Sequence, residues 1–125
     1  MKGGELMIIH GKERNFKMTV AASAAIADLC PDGDISRLNE LLNNLRYSDK
    51  MMLMAKISVI LNRGYEDAAK YENPGYAVDY LCENELLSLG TKEFMDVQTS
   101  ALSAISSDTQ TTVEVEPKKD MGSEA

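Results

Sequence analysis

Between Lys50 and Leu61 the only polar residues are Lys50, Lys56 and Ser58. A stretch this apolar must be covered, and its spacing says by how much. Leu53, Met54, Ile57, Ile60 and Leu61 fall on one face of a helix, and Met51, Met52, Ala55 and Val59 fall on a second. Ser48 and Asp49 supply an N-cap and an acidic first turn. Asn62-Arg63-Gly64 predicts the end, with Gly64 just past the last turn and Arg63 against the negative helix terminus. A helix apolar on two sides is either central in its own domain or shared with a partner. The second face is therefore either ordinary core or a contact surface. Its methionines suit the latter, because the side chain is flexible and polarizable. Met51, Met52, Ala55 and Val59 are accordingly the candidate protein-interaction residues.

The rest of the chain predicts what surrounds this helix. With 125 residues there is room for one domain. Leu6–Ile9 and Arg14–Met18 read as two strands of a hairpin, joined by a turn at His10-Gly11-Lys12-Glu13. A lone hairpin is marginal in water, so it must lean on the helices that follow. The first helix is predicted from Thr19, its N-cap, to about Cys30, with Ala22, Ile26, Leu29 and Cys30 on one face and Pro31 as the stop. Pro31-Asp32-Gly33-Asp34 is a turn in which Asp34 caps the next helix, Ile35 to about Leu45. Tyr65–Tyr71 reads as a short separate helix, Asn73-Pro74-Gly75 as a break, and Tyr76–Leu81 as a brief restart. Glu83–Leu89 is a short amphipathic turn. Thr91 caps a last helix that buries Phe94, Val97, Ala101, Leu102 and Ile105. The expected fold is mainly α, an N-terminal β-hairpin packed on a small bundle of about five helices within residues 1–106. Residues 107–125, with five acidic and two basic side chains, are expected to form a flexible acidic tail. Within it, Thr111–Glu116 alternates like a strand that could pair with an exposed edge.

Composition removes several functions. Twenty acidic residues against 13 basic ones give a net charge of -7, which repels a nucleic-acid backbone. One His and two Cys cannot build the usual zinc site. No apolar run is long enough to span a membrane. Leu6–Ile9 is too short for a signal-peptide core, whether translation starts at Met1 or Met7, so a cytoplasmic location is expected. Cys30 and Cys82 are expected to be free, buried thiols. An EF-hand register from Asp28 through Cys30, Asp32, Gly33 and Ile35 fails, because Cys30 is a poor calcium ligand and position twelve is Asn39. His10 sits in a predicted turn, which favours a plain surface histidine over general-base chemistry, and no glycine-rich phosphate loop is present. No cofactor follows from any of this. Tyr65, Tyr71, Tyr76 and Tyr80 either line a surface patch or rim the core.

The order of elements adds a resemblance. A hairpin around Ile9-His10-Gly11-Lys12 leads to a helix ending Ala27-Asp28-Leu29-Cys30. Asp32-Gly33-Asp34 precedes the next helix, and a long apolar helix closes with Ile60-Leu61-Asn62-Arg63-Gly64. Residues 81–90 have the form Leu-x-Glu-x-Glu-Leu-Leu-x-Leu-Gly. Over residues 6–106 this resembles the tail assembly chaperones of long-tailed phages and of prophages in Gram-positive bacteria. The resemblance implies a non-enzymatic protein of the bacterial host cytoplasm. Such a protein self-associates and coats the tape-measure protein until tail tube subunits replace it. Many members of that family are made in two lengths by a frameshift near the end of the short form, for which Lys118-Lys119 is the candidate slippery run here. The family offers no catalytic residue to transfer. Two rivals stand beside it: another small phage or host protein-binding adaptor, such as a head–tail connector or a regulator, and a small enzyme or metal-binding domain.

Overall fold

The computed structural model describes residues 5–108. Strands β1 (Glu5–Ile9) and β2 (Lys12–Phe16) form a two-stranded antiparallel sheet in which Ile9 pairs with Lys12 and Met7 with Arg14. The turn is His10-Gly11 alone, shorter than the sequence suggested. Both residues have positive φ, 51° and 79°, as a two-residue hairpin turn demands. The second strand therefore starts at Lys12. The inner face of the hairpin buries Ile9, Arg14 and Phe16.

Helix α1 (Val20–Ala27) begins where expected, with the Thr19 hydroxyl accepting the Ala22 N–H at 3.1 Å. Two 3-10 turns, Pro31–Gly33 and Ile35–Arg37, carry the chain into α2 (Leu38–Asn44). Asp34 caps the second turn, accepting Ser36 N–H at 3.0 Å.

Helix α3 (Tyr47–Glu72) is one continuous helix of 26 residues, about 39 Å long. It does not stop at Gly64, and no separate helix follows. The reason lies outside the helix. A Cβ on Gly64 would sit 2.7 Å from the Lys17 carbonyl oxygen and 2.9 Å from Thr19 Oγ1. Nearby, Lys17 N–H donates to the Leu61 carbonyl at 3.0 Å. Gly64 thus serves a close approach between α3 and the β2–α1 connection, not a helix end. The helix stops at Asn73-Pro74-Gly75, as expected.

Residues 73–82 are irregular, without the predicted restart, and α4 (Glu83–Leu87) and α5 (Thr91–Asp108) complete the fold. Thr91 is the first residue of α5. The preceding Gly90 occupies the cap, its carbonyl accepting Phe94 N–H and its N–H donating to Glu93 Oε1. Helix α3 packs against β2, α1, α4 and α5, so it is the central helix. Met54, Ile57 and Leu61 of α3 are fully buried together with Phe16, Ile26, Leu86, Val97 and Ile105. The fold is mainly helical, with the hairpin packed against about five helices. Residues 107 and 108 of the expected tail belong to α5; the rest of it, with the alternating Thr111–Glu116 segment, lies outside the described residues. Among the described residues, no helix is long and apolar enough to cross a membrane.

Candidate functional site

Two regions stand out, and they are opposite in chemistry. The first binds the irregular connector 73–82 to the rest of the fold. Asn62, wholly buried on α3, donates from Nδ2 to the Asn15 carbonyl at 3.0 Å and accepts Leu81 N–H on Oδ1 at 2.8 Å. One turn further on, Glu66 accepts Asp79 N–H at 3.0 Å. Arg14 is 2% exposed; its Nη1 donates to the Asp79 carbonyl at 2.6 Å and its Nη2 pairs with Glu85 at 3.1 Å. Its Nε takes no acceptor among the described residues. Glu85 also accepts Cys82 N–H at 2.9 Å. His10 Nε2 lies 2.8 Å from the Glu85 carbonyl, which makes it the donor there, and 3.0 Å from Ser88 Oγ.

The electrostatics follow from these bonds. The Cys82 N–H and the Arg14 guanidinium hold the Glu85 carboxyl below its usual range, against the opposing effect of burial. Lys12, 3.0 Å away, does the same for Asp79, with help from Arg14. Tyr76 is pushed up to about 12, first by burial and then by the Glu66 carboxylate. Almost every polar group here is spent on a neighbour within the fold. The region is an anchor.

The second region is a cleft of about 540 Å³ between α1 and the C-terminal half of α3. Ala21, Ala25, Gly64 and Ala68 line it, with Val20 and Tyr71 at its borders. Val20 is 88% and Tyr71 89% exposed. The eight residues of α1 carry no charge and their apolar character does not favour one side. A helix apolar all round is ordinarily buried. This one buries only Ala22 and Ile26. On the far side, Arg63 stacks over the Tyr80 ring at 4.6 Å, and the Tyr80 hydroxyl donates to Asp67 at 2.5 Å. That bond raises the Tyr80 hydroxyl above its ordinary range. The charged groups lining the cleft are thereby occupied with each other, and the small side chains are left open.

The four residues singled out in the sequence do not share one exposed face. Met52, half exposed, and Val59, half-buried, lie on the outward stripe of α3 with Lys56 and Arg63. Ala55 is fully buried, and Met51 is half-buried in a small hollow with Tyr47, Leu86 and Phe94. The inward row is covered because α3 has neighbours on several sides. Ala55 therefore cannot meet a partner in the folded chain. The tyrosines are divided as well: Tyr71 borders the cleft, whereas Tyr76 belongs to the anchor. Cys30 is buried and its thiol donates to the Ile26 carbonyl at 3.4 Å, but Cys82 is exposed, contrary to expectation. Burial raises the Cys30 thiol, and Asp34 adds to the effect. In the acidic turn around the failed calcium register, Arg37 pairs with Asp32 at 2.7 Å and with Glu40 at 2.8 Å.

Neither region was legible as a site. The anchor's bonds between elements join residues 13 to 78 positions apart, and the floor of the cleft is alanines and a glycine that carry no chemical signature. The one available signal was the uncharged Val20–Ala27 helix. No family model, curated protein or solved structure matches this chain.

Proposed function

We propose that this chain is a non-enzymatic tail assembly chaperone of a phage or prophage, which self-associates and holds the tape-measure protein during tail assembly. The observation that carries the proposal is the open apolar cleft between α1 and α3. Its small side chains admit close approach of a helix, and an amphipathic helix laid into such a groove buries its apolar stripe. A long helical tape measure presents such stripes and needs cover for them. Met52, half exposed, adds an apolar side chain further along α3. The net charge of -7 keeps a crowded assembly soluble.

The test is co-expression with a tape-measure fragment from the same genome, followed by size-exclusion chromatography with light scattering. Co-elution as a stoichiometric complex that Ala21→Glu abolishes supports the proposal. Failure of the folded chain to bind the fragment refutes it and leaves the adaptor reading.

A further inference from the structure

The hairpin has an open edge. Because the turn holds two residues, Ile9 and Lys12 form a hydrogen-bonded pair, and bonded pairs alternate from there. Met7–Arg14 is bonded and Ile8–Glu13 and Leu6–Asn15 are not. The backbone N–H and C=O of Leu6 and Ile8 therefore point away from β2. Among the described residues these groups have no hydrogen-bond partner. The side chains of the same two residues are also uncovered, Leu6 at 55% and Ile8 at 60% exposure. Proteins guard open edges with lysine, proline, inward charge or a bulge. Leu6-Met7-Ile8-Ile9 has none of these.

We infer that β1 is the edge through which two copies of this chain pair, antiparallel, about a two-fold axis at Met7. This register is self-complementary. Leu6 of one copy faces Ile8 of the other, and each such pair exchanges two backbone hydrogen bonds. The two hairpins become one sheet in the order β2-β1-β1-β2. On its outer face the four exposed aliphatic side chains meet each other across the junction. No charged side chain lies within Leu6–Ile9, so the paired strands themselves bring no like charges together. Glu93 and Asp96 of α5 border the hollow beside Met7 and Ile8 and make the pairing strengthen with salt. The inference deepens the self-association of the proposed chaperone and rests on that reading; the cleft remains free for the partner.

The experiment is sedimentation equilibrium of the full chain from micromolar to millimolar concentration, with amide exchange at both ends of the range. A dimer is expected, with Leu6 and Ile8 amides protected only where it is populated. Ile8→Lys is expected to raise the dimer dissociation constant by about tenfold or more while the monomer keeps its circular dichroism. Ile8→Pro removes an outward N–H without touching the hairpin ladder and is expected to do the same. A monomer throughout the range overturns the inference. So does a dimer indifferent to Ile8→Lys, or protection of the two amides that does not change with concentration. Tape-measure capture is read separately. If capture fails while the β1 dimer forms, the chaperone reading falls and the edge pairing stands.

Discussion

The two sides of α3 solve different problems with different residues. Toward the connector, Asn62 and Glu66 of α3 take up backbone amides, and Arg14 and Glu85 hold the chain from the other side. Toward α1, the same helix presents Ile60, Gly64 and Ala68, and the facing helix offers alanines. A buried polar group must be paired or it costs stability, so the first side is closed chemistry. Small apolar side chains make no such demand and can be left open or covered later. The contrast separates what holds the molecule together from what is available for recognition.

The contrast can be broken by substitution. Arg14→Met should cause the largest loss of stability, about 3 kcal/mol, because it strips Glu85 and the Asp79 carbonyl of their buried partner. Chemical denaturation measures this, and a loss near zero would mean that the anchor is ornamental. Gly64→Ala should be destabilising by about 1–2 kcal/mol despite alanine's better helix propensity, since its Cβ would meet the Lys17 carbonyl. A stabilised variant would show that the close approach relaxes freely.

The anchor should also show in the pH dependence of stability. The Glu85 and Asp79 carboxyls lie lower in the folded chain than in the unfolded one. Their contribution is thus complete above the ordinary carboxylate value and is lost as the pH falls through the folded one. Tyr76 behaves in the opposite sense: its contribution is complete below its ordinary 10.0 and is lost as the pH rises toward about 12. Denaturation midpoints across pH in the parent and Arg14→Met chains should show a shallower acid slope in the variant. The smallest expected effect on stability belongs to the cleft. Ala21→Glu, at an exposed position, should change stability by less than about 0.5 kcal/mol, yet it should abolish partner capture.

How much of this was legible depends on the range of the interaction. Local signals held in part: Thr19 caps α1, Asp34 caps the 3-10 turn after it, and Asn73-Pro74-Gly75 ends α3. But α3 starts at Tyr47 behind Arg46, which makes no side-chain cap, rather than at Ser48-Asp49, and Gly90 rather than Thr91 caps α5. Gly64 misled because a glycine after Arg63 has the form of a helix end. Only the distant Lys17 and Thr19 reveal why it must be glycine. Ala55 misled for a related reason. Periodicity shows that two faces are apolar, but it cannot show which neighbours cover them. Asn62 sits where the sequence reads as a helix end and Arg14 at the start of a predicted strand, and their burial depends on a connector that arrives at Asp79 and Leu81.

In the proposed function, the α1–α3 cleft receives the partner and the anchored side does not. Hydrogen exchange of the full chain with and without a tape-measure fragment tests it most directly. New protection is expected in Val20–Ala27 and in the α3 segment from Ile60 to Tyr71, with the connector at Asp79–Cys82 unchanged. New protection confined to the connector, or bound fragment with no change in the cleft, would contradict it.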